Sequence, residues 1–547
     1  MNNNKIAQYL QGHITGEIIT GNDVRRQFST DASIFLMTPN VIVYPRNEND
    51  VRKTTKFTWQ LAERGRVFPI TARGAGTDQT GAAIGNGIML VFPAHLNRIL
   101  ELDSKNGTVV VEPGLNYGKL QQTLFTHDRF LPPAPASMEY STIGGALANN
   151  ASGAKSFKYG STLDFVKSLR VVLSNGDVIE TSRITKRELN KKLGLSSFEG
   201  EIYRTIDALI EDNPEIVKKF NLSTTKNSAG YNINLVKQKD GSFDLTPLFI
   251  GSQGTLGLIT EAIMQTMQRR ANTILVMAKI DSLDDLQKII LELRKLPEMP
   301  SIVEVVDSKL LDLAHKYDPG LISESLKEPF PMFVLLVEFD NLSEHIQRKL
   351  LKRTQKILSD NNSEYVFETE QSKKDELWKL RHSTTAILMH GEGNAKPLPI
   401  IEDGIVPPEN LSKFIIGIYE IFDRVSLPIS IYGHAGDGHL HVQPLLDIKQ
   451  IGDRQKIFKI MEEYYKLVIS LDGSVSGSHG EGRLRASYVP LQYGIDAYAM
   501  IVKIKQTFDP HGILNPGVKV GGDIEGLKPL LREEYTLGHL YSYLPYL

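Results

Sequence analysis

The chain of 547 residues contains no cysteine. That excludes a disulfide framework, a thiolate nucleophile, a cysteine zinc site and an iron–sulfur cluster within it. Electrons that pass through such a cluster must do so on another protein. A basic excess is also lacking: 62 Lys plus Arg stand against 64 Asp plus Glu, a formal net charge of −2. No long run of one sign marks a tail, and no nucleic-acid partner is expected. No uninterrupted apolar run reaches the length of a membrane span. The opening Met1-Asn2-Asn3-Asn4-Lys5 lacks the apolar core of a signal peptide. The expected location is cytoplasmic, with peripheral contact at the inner face of the membrane left open. There is neither an internal repeat nor a low-complexity segment. What is present is an ordinary globular composition, 41% hydrophobic and 23% charged, long enough for two or three domains.

Residues 40–270 are rich in glycine and in short β-type runs, among them 41–44, 67–70, 88–92 and 108–111. Short helices lie between them. One is expected over 49–64, opening on Asn49 and Asp50 as N-cap residues. Residues 193–245 are more helical and polar and read as an insertion. From about Asn272 the texture changes. Strands are expected over 274–280, 301–306 and 332–339, and helices over 283–296 and 342–359, a small antiparallel sheet backed by helices. The fold class is α+β. The expected division is a first domain at 35–270, a second at 271–518 and a tail at 519–547.

Three glycine-rich segments punctuate the first domain. Arg73-Gly74-Ala75-Gly76-Thr77-Asp78 follows a strand, and its closely spaced glycines let successive N–H groups turn toward one anion. The second, 135–153, sets Gly144-Gly145 beside a short helix-forming run, where a helix N-terminus suits a pyrophosphate. The third is 251–260. None fits Gly-x-Gly-x-x-Gly between a strand and a helix, so a Rossmann reading is poor. Three separated loops suit an extended dinucleotide.

In the second domain, His434, His439 and His441 fall within eight residues, 434–441. Ala435-Gly436-Asp437-Gly438 is turn chemistry between two strand-like runs, so the segment reads as a hairpin. Imidazoles converging across it suit a divalent metal such as zinc or manganese. Incidental histidines on a polar hairpin are the plainer alternative. Leu377 to Arg381 lies on a helix, with Thr385 one turn on and on the same face. Its arginine can clasp a carboxylate, or the segment is simply an amphipathic surface helix.

The three loops resemble the flavin-binding domain of the vanillyl-alcohol-oxidase, or p-cresol-methylhydroxylase, family of FAD enzymes. The resemblance assigns the cofactor to Arg73, Gly74, Ala75, Gly76, Thr77 and Asp78 in the first loop. In the second it assigns Pro135, Ser137, Met138, Thr142, Gly144, Gly145, Asn149, Ser152 and Gly153. In the third it assigns Gly254, Gly257 and Ile259, with Gln253 where many members have Glu. Asn515 returns to the flavin. The first loop carries no histidine, so non-covalent FAD is implied. The hairpin, residues 473–485 and residues 509–517 resemble the D-2-hydroxyacid dehydrogenase branch, and the likeness covers roughly 35–518.

That branch oxidises a D-2-hydroxy acid of the D-lactate, D-2-hydroxyglutarate or glycolate class. By resemblance His479 is the general base, a task that suits a neutral imidazole. His434 and His441 bind the metal. A third ligand in relatives is a Glu just before the base, but here that residue is Ser478. Glu481 or His439 is the expected substitute, although His439 stands where relatives commonly have Asn. Arg381 and Thr385 hold substrate, Lys396 adds a cation, and Gln443 touches substrate. Arg483 and Arg485 are either surface charge or a grip on a second carboxylate. The electron acceptor is left among a quinone, a cytochrome and a separate iron–sulfur protein, and a homodimer is compatible with all of this. Two alternatives stay open: a non-redox enzyme of the alkylglycerone-phosphate synthase type, and a non-catalytic flavin subunit of an electron-transfer complex. The Tyr- and Leu-rich end, 535–547, is expected to pack on a partner or on the flavin domain.

Overall fold

A computed structural model describes residues 3–270, 272–340, 343–389 and 394–538. Three sheets organise them. The first runs in the order Glu17–Ile19, Val41–Tyr44, Ile88–Val91, Ile70–Arg73, and its last three strands are parallel. Val41, Ile42, Val43 and the whole of Ile88–Val91 are buried, as parallel strands covered on both faces require. Helix Glu48–Glu63 covers one side. Its N-cap is Asn47, whose side chain accepts from Asp50 N–H, two residues before the expected start. Asp50 is not available as a cap because its carboxylate accepts from Thr15 and from Arg46 N–H.

The second sheet is antiparallel, in the order Ile99–Asp103, Thr108–Val111, Leu258–Gln265, Val166–Val172, Val178–Thr181. Along Leu258–Gln265 burial alternates residue by residue, the period-two signature of a strand with one face on the core. The helical stretch inserted before it, including Phe198–Asp212, buries Ile202, Tyr203 and Ile206 in the same core as Phe249 and Phe508.

The third sheet has six antiparallel strands, in the order Tyr365–Glu368, Ile274–Ile280, Phe333–Phe339, Ile302–Asp307, Ile431–His434, His439–Val442. The architecture is therefore α+β, with an antiparallel sheet in the C-terminal half. All of Phe333–Phe339 is buried because both faces are covered. Phe333, Leu335 and Val337 face the large core, whereas Val334 and Leu336 face a smaller cluster with Leu377 and Trp378.

Two late segments return to the beginning of the chain. Ile70 N–H donates to Ile513 and Asn515 N–H donates back to Ile70, at 2.7 and 2.8 Å. Further on, Leu36 N–H donates to Leu530, Arg532 N–H to Ile34, and the Tyr535 hydroxyl to Ala32. The part of the tail up to 538 thus packs on residues 32–36, and the rest of the expectation for 535–547 lies outside the described residues. Among the described residues, no helix is long and apolar enough to cross a membrane.

Candidate active site

A cavity of about 680 Å³ runs from the three glycine loops to the histidine hairpin. At the loop end, strand Ile70–Arg73 delivers the first segment at its C-terminal edge. Gly76 has φ +76°, which favours glycine, and a Cβ there would sit 2.2 Å from the Arg73 guanidinium. Asp78 shapes the loop: its carboxylate accepts from Thr80 N–H, Ala82 N–H and Asn149 Nδ2. Thr142 caps helix Ile143–Asn149 by accepting from Gly145 N–H. A Cβ on Gly74 would lie 2.2 Å from that same Thr142 hydroxyl, and one on Gly144 would lie 2.7 Å from Pro113.

Gln253 ties this end to the other. Its Nε2 donates to Thr80 Oγ1, Asn149 Oδ1 and the His479 carbonyl, while its Oε1 accepts from Gly482 N–H. A glutamate could not donate to those three oxygens, which accounts for an amide here.

Buried polar atoms in the cavity wall lack protein partners: Gln79 Oε1, Ser141 Oγ and Ser152 Oγ. Such atoms call for a polar ligand. Together with the side-chain-free loops, they fit a flavin dinucleotide. Most of the residues assigned to the cofactor line this cavity, including Arg73 to Asp78, Ser137, Asn149, Gly254, Gly257 and Ile259. Three do not. Met138 packs against the large core, and Gly153 is pressed against the backbone of Ala134. Asn515 clamps the loops from behind, donating to the carbonyls of Ala82 and Gln253.

At the far end, Val305 pairs with Gly433, which puts Glu304 across from His434. Glu304 binds His434 Nδ1, and Arg381 Nε donates to its other oxygen at 2.7 Å. Burial works to raise this carboxyl, but His434 and Arg381 overcome it and hold it at about 2. His441 Nδ1 donates to the Glu402 carbonyl at 3.1 Å. With both Nδ1 atoms committed, the two Nε2 atoms face each other 3.4 Å apart. Burial keeps both rings below the ordinary imidazole value.

Two converging imidazole nitrogens supply half of a zinc site. The expected third ligand is not there. Glu481 is turned away, its carboxylate taken by Lys519 Nζ and Gly230 N–H. Ser478 Oγ donates to Asp403, and His439 Nε2 lies 3.0 Å from the same carboxylate. Among the described residues no cluster of three His, Cys, Asp or Glu is placed to hold a metal. The donor set does not fit the expected zinc or manganese.

His479, Gln443 and Arg381 all line the cavity. Arg381 also lies over the Tyr432 ring, 5.2 Å from its centroid. The helix that carries it ends at His382, and a separate short helix begins at Thr384. The Thr385 side chain lies outside the described residues. Lys396 sits on a two-residue strand paired with Leu446, outside the cavity lining. Neither Arg483 nor Arg485 is surface charge or free for substrate. Arg483 donates to the Pro516 and Ile84 carbonyls, and Arg485 to Tyr465 and the Gly480 carbonyl. Sequence reasoning missed Glu304, Glu402 and Asp403. The available signal was acids embedded in apolar runs, Ile302 to Val306 and Leu398 to Val406.

A mixed sheet, an antiparallel sheet and a second antiparallel domain enclosing a glycine-walled cavity define a two-domain dinucleotide-binding protein. Residues 39–182 match the family described as "FAD binding domain", and residues 269–518 match "FAD linked oxidases, C-terminal domain". The two matches together span most of the chain, which belongs to the FAD-linked oxidases. It is 30% identical to the D-2-hydroxyglutarate dehydrogenase of Escherichia coli K12 over 531 residues, covering 94% of this chain and 51% of that protein. The chain thus spans about half the length of that relative. It is 28% identical to the glycolate oxidase subunit GlcD of Bacillus subtilis, covering 91% of this chain and 92% of that one. The crystal structure of p-cresol methylhydroxylase with substrate bound shares the fold, with a TM-score of 0.67 at 15% identity over 95% of this chain and 97% of that one.

Proposed function

We propose that the chain oxidises a D-2-hydroxy acid to the 2-oxo acid, with His479 as the base. The observation that carries this reading is the placement of His479 and Arg381 in the same cavity as the three glycine loops. Bound FAD supplies the acceptor for the hydride that leaves C2. The remaining work falls to the chain. Glu304 takes Arg381 Nε and leaves the two Nη groups to clasp the substrate carboxylate. His479 takes the hydroxyl proton as the C2–H bond breaks, so one hydride and one proton leave and a carbonyl forms. Gln443 and Tyr432 close the wall beside the reacting carbon. No step requires a metal, in keeping with the donor set. The electrons go onward to a quinone, a cytochrome or an iron–sulfur centre outside these 547 residues, which contain no cysteine to hold a cluster.

The test is anaerobic mixing of the flavoprotein with D- and L-2-hydroxy acids while flavin absorbance is followed. Bleaching by one D-acid and not its L-enantiomer supports the reading and names the substrate. A flavin that no hydroxy acid reduces would return the chain to the non-redox or non-catalytic alternatives.

A further inference from the structure

One carboxylate in the molecule has more partners than its burial alone demands. Asp403 is fully buried, in the loop that leads from Ile401 to Val406. Its Oδ2 accepts from His479 N–H at 2.9 Å, and its Oδ1 from Ser478 N–H at 3.0 Å. The hydroxyls of Ser476 and Ser478 donate to it as well. His439 Nε2 approaches at 3.0 Å from the hairpin side, and the Arg485 guanidinium lies 3.6 Å away. The same residue's carbonyl accepts from Gly477 N–H. Residues 476–479 are therefore wrapped around a single acid.

His479 is the only member of that wrap whose ring reaches the cavity with a nitrogen to spare. Its Nδ1 has no hydrogen-bond partner and faces Asp403 Oδ1 at 3.8 Å. That is too long for a hydrogen bond, but it is the approach expected of a base that tightens on its partner when substrate binds. A carboxylate on Nδ1 fixes which ring nitrogen carries the proton and leaves Nε2 to accept one. His439 has no place in the cavity lining, and its ring fills the space beside Gly477, where a Cβ would come within 3.1 Å. Its Nε2, 3.0 Å from Asp403 Oδ1, packs against the carboxylate from the opposite side.

We propose that Asp403 is the positioning residue of His479, with the buried His439 as its brace. Asp403 touches neither substrate nor flavin and acts only through the base. This rests on the reading of His479 as the base, and the experiment separates the two. Anaerobic flavin reduction is followed by stopped flow in a four-way cycle of wild type, Asp403→Asn, His479→Gln and the double variant. Flavin content and substrate half-saturation are read in each. Removal of the base is expected to slow reduction by about 100- to 10,000-fold. Asp403→Asn is expected to slow it by about 100-fold with half-saturation within about threefold, and to add less than about threefold once His479 is gone.

If His479→Gln reduces at the wild-type rate, the base reading fails. If His479→Gln is slow but Asp403→Asn multiplies fully with it, or reduces at the wild-type rate, the positioning role fails and the base stands. Should Asp403→Asn yield no folded flavoprotein, His439→Asn takes its place in the cycle, with a loss of about fivefold or more expected that vanishes with His479. Independent effects there overturn the proposal equally.

Discussion

Arg381→Met separates two jobs that one side chain performs. In the wild type its Nε holds Glu304, whose carboxylate is 1% exposed, while Arg381 itself is 13% exposed. Removing the guanidinium leaves a buried acid with His434 as its remaining partner. The Glu304 carboxyl sits at about 2, below the ordinary 4.5. That gap, about 3 kcal/mol, is shared between His434 and Arg381, whereas removing one partner of a buried pair generally costs ~3–5 kcal/mol. Urea unfolding at pH 7 should therefore show a loss of about 3 kcal/mol in Arg381→Met. The double variant Arg381→Met/Glu304→Gln should regain about 1–2 kcal/mol, because a neutral amide is cheaper to bury than a lone carboxylate.

The sign with pH follows from the depressed value. The stabilisation is complete above 4.5 and is lost as pH falls toward 2, so the acid sensitivity of the wild type in that window should flatten in both variants. Substrate binding should behave differently. Half-saturation in anaerobic flavin reduction should rise by about 10-fold or more in the single variant and stay there in the double, because the lost clasp is not restored. Equal stability of the single and double variants would refute the account of Glu304. Recovery of half-saturation in the double would refute the account of Arg381 as the carboxylate clasp.

Three further outcomes are expected. Gly144→Ala forces a Cβ against Pro113 at 2.7 Å, an overpacking of about 1–3 kcal/mol. FAD binding should weaken by about 5- to 150-fold, read from flavin retained on dialysis, and undiminished retention would argue against that loop as the cofactor wall. Ser478→Glu adds a carboxylate to the cavity that His434 and His441 also line, so zinc affinity should rise by about tenfold or more in chelator competition; unchanged affinity would mean that a missing third donor is not what limits the site. His439 is held at about 3 by burial, then by the charge of Lys226, so it is neutral when folded. Its contribution is present above 6.5 and is lost as pH falls toward 3. The melting temperature of His439→Asn should therefore fall less steeply across that window than that of the wild type.

The strands of the second domain were legible because both faces of their sheet are covered, which makes them predominantly apolar, as in Phe333–Phe339, where Glu338 alone is charged. The hairpin was legible from its turn residues. Its strands are shorter than the runs suggested, Ile431–His434 and His439–Val442, with a 3-10 turn between. Glu481 was misplaced because nearness along the chain says nothing about side. Gly480 and Gly482 both have positive φ, and the reversal sends the intervening carboxylate to Lys519. The helix carrying Arg381 ends at His382, a break that the spacing along the sequence does not mark. Asp403 was invisible because its meaning comes from backbone N–H groups some 75 residues away in sequence, and no local pattern records them.

The return of Ile513–Asn515 to Ile70 has a consequence for how the protein is made. Thr71 and Asn515 are 444 residues apart, yet they share a hydrogen bond at the root of the first glycine loop. Domains emerging from the ribosome ordinarily fold in order, N-terminal first, and contacts of long sequence separation form slowly. Here the parallel sheet gains its bridge to Leu514, and Asn515 its grip on the carbonyls of Ala82 and Gln253, only once residues 514 and 515 have been synthesised. Assembly of the cofactor wall therefore cannot precede the synthesis of residue 515, and the finished cradle certifies that everything between has been translated.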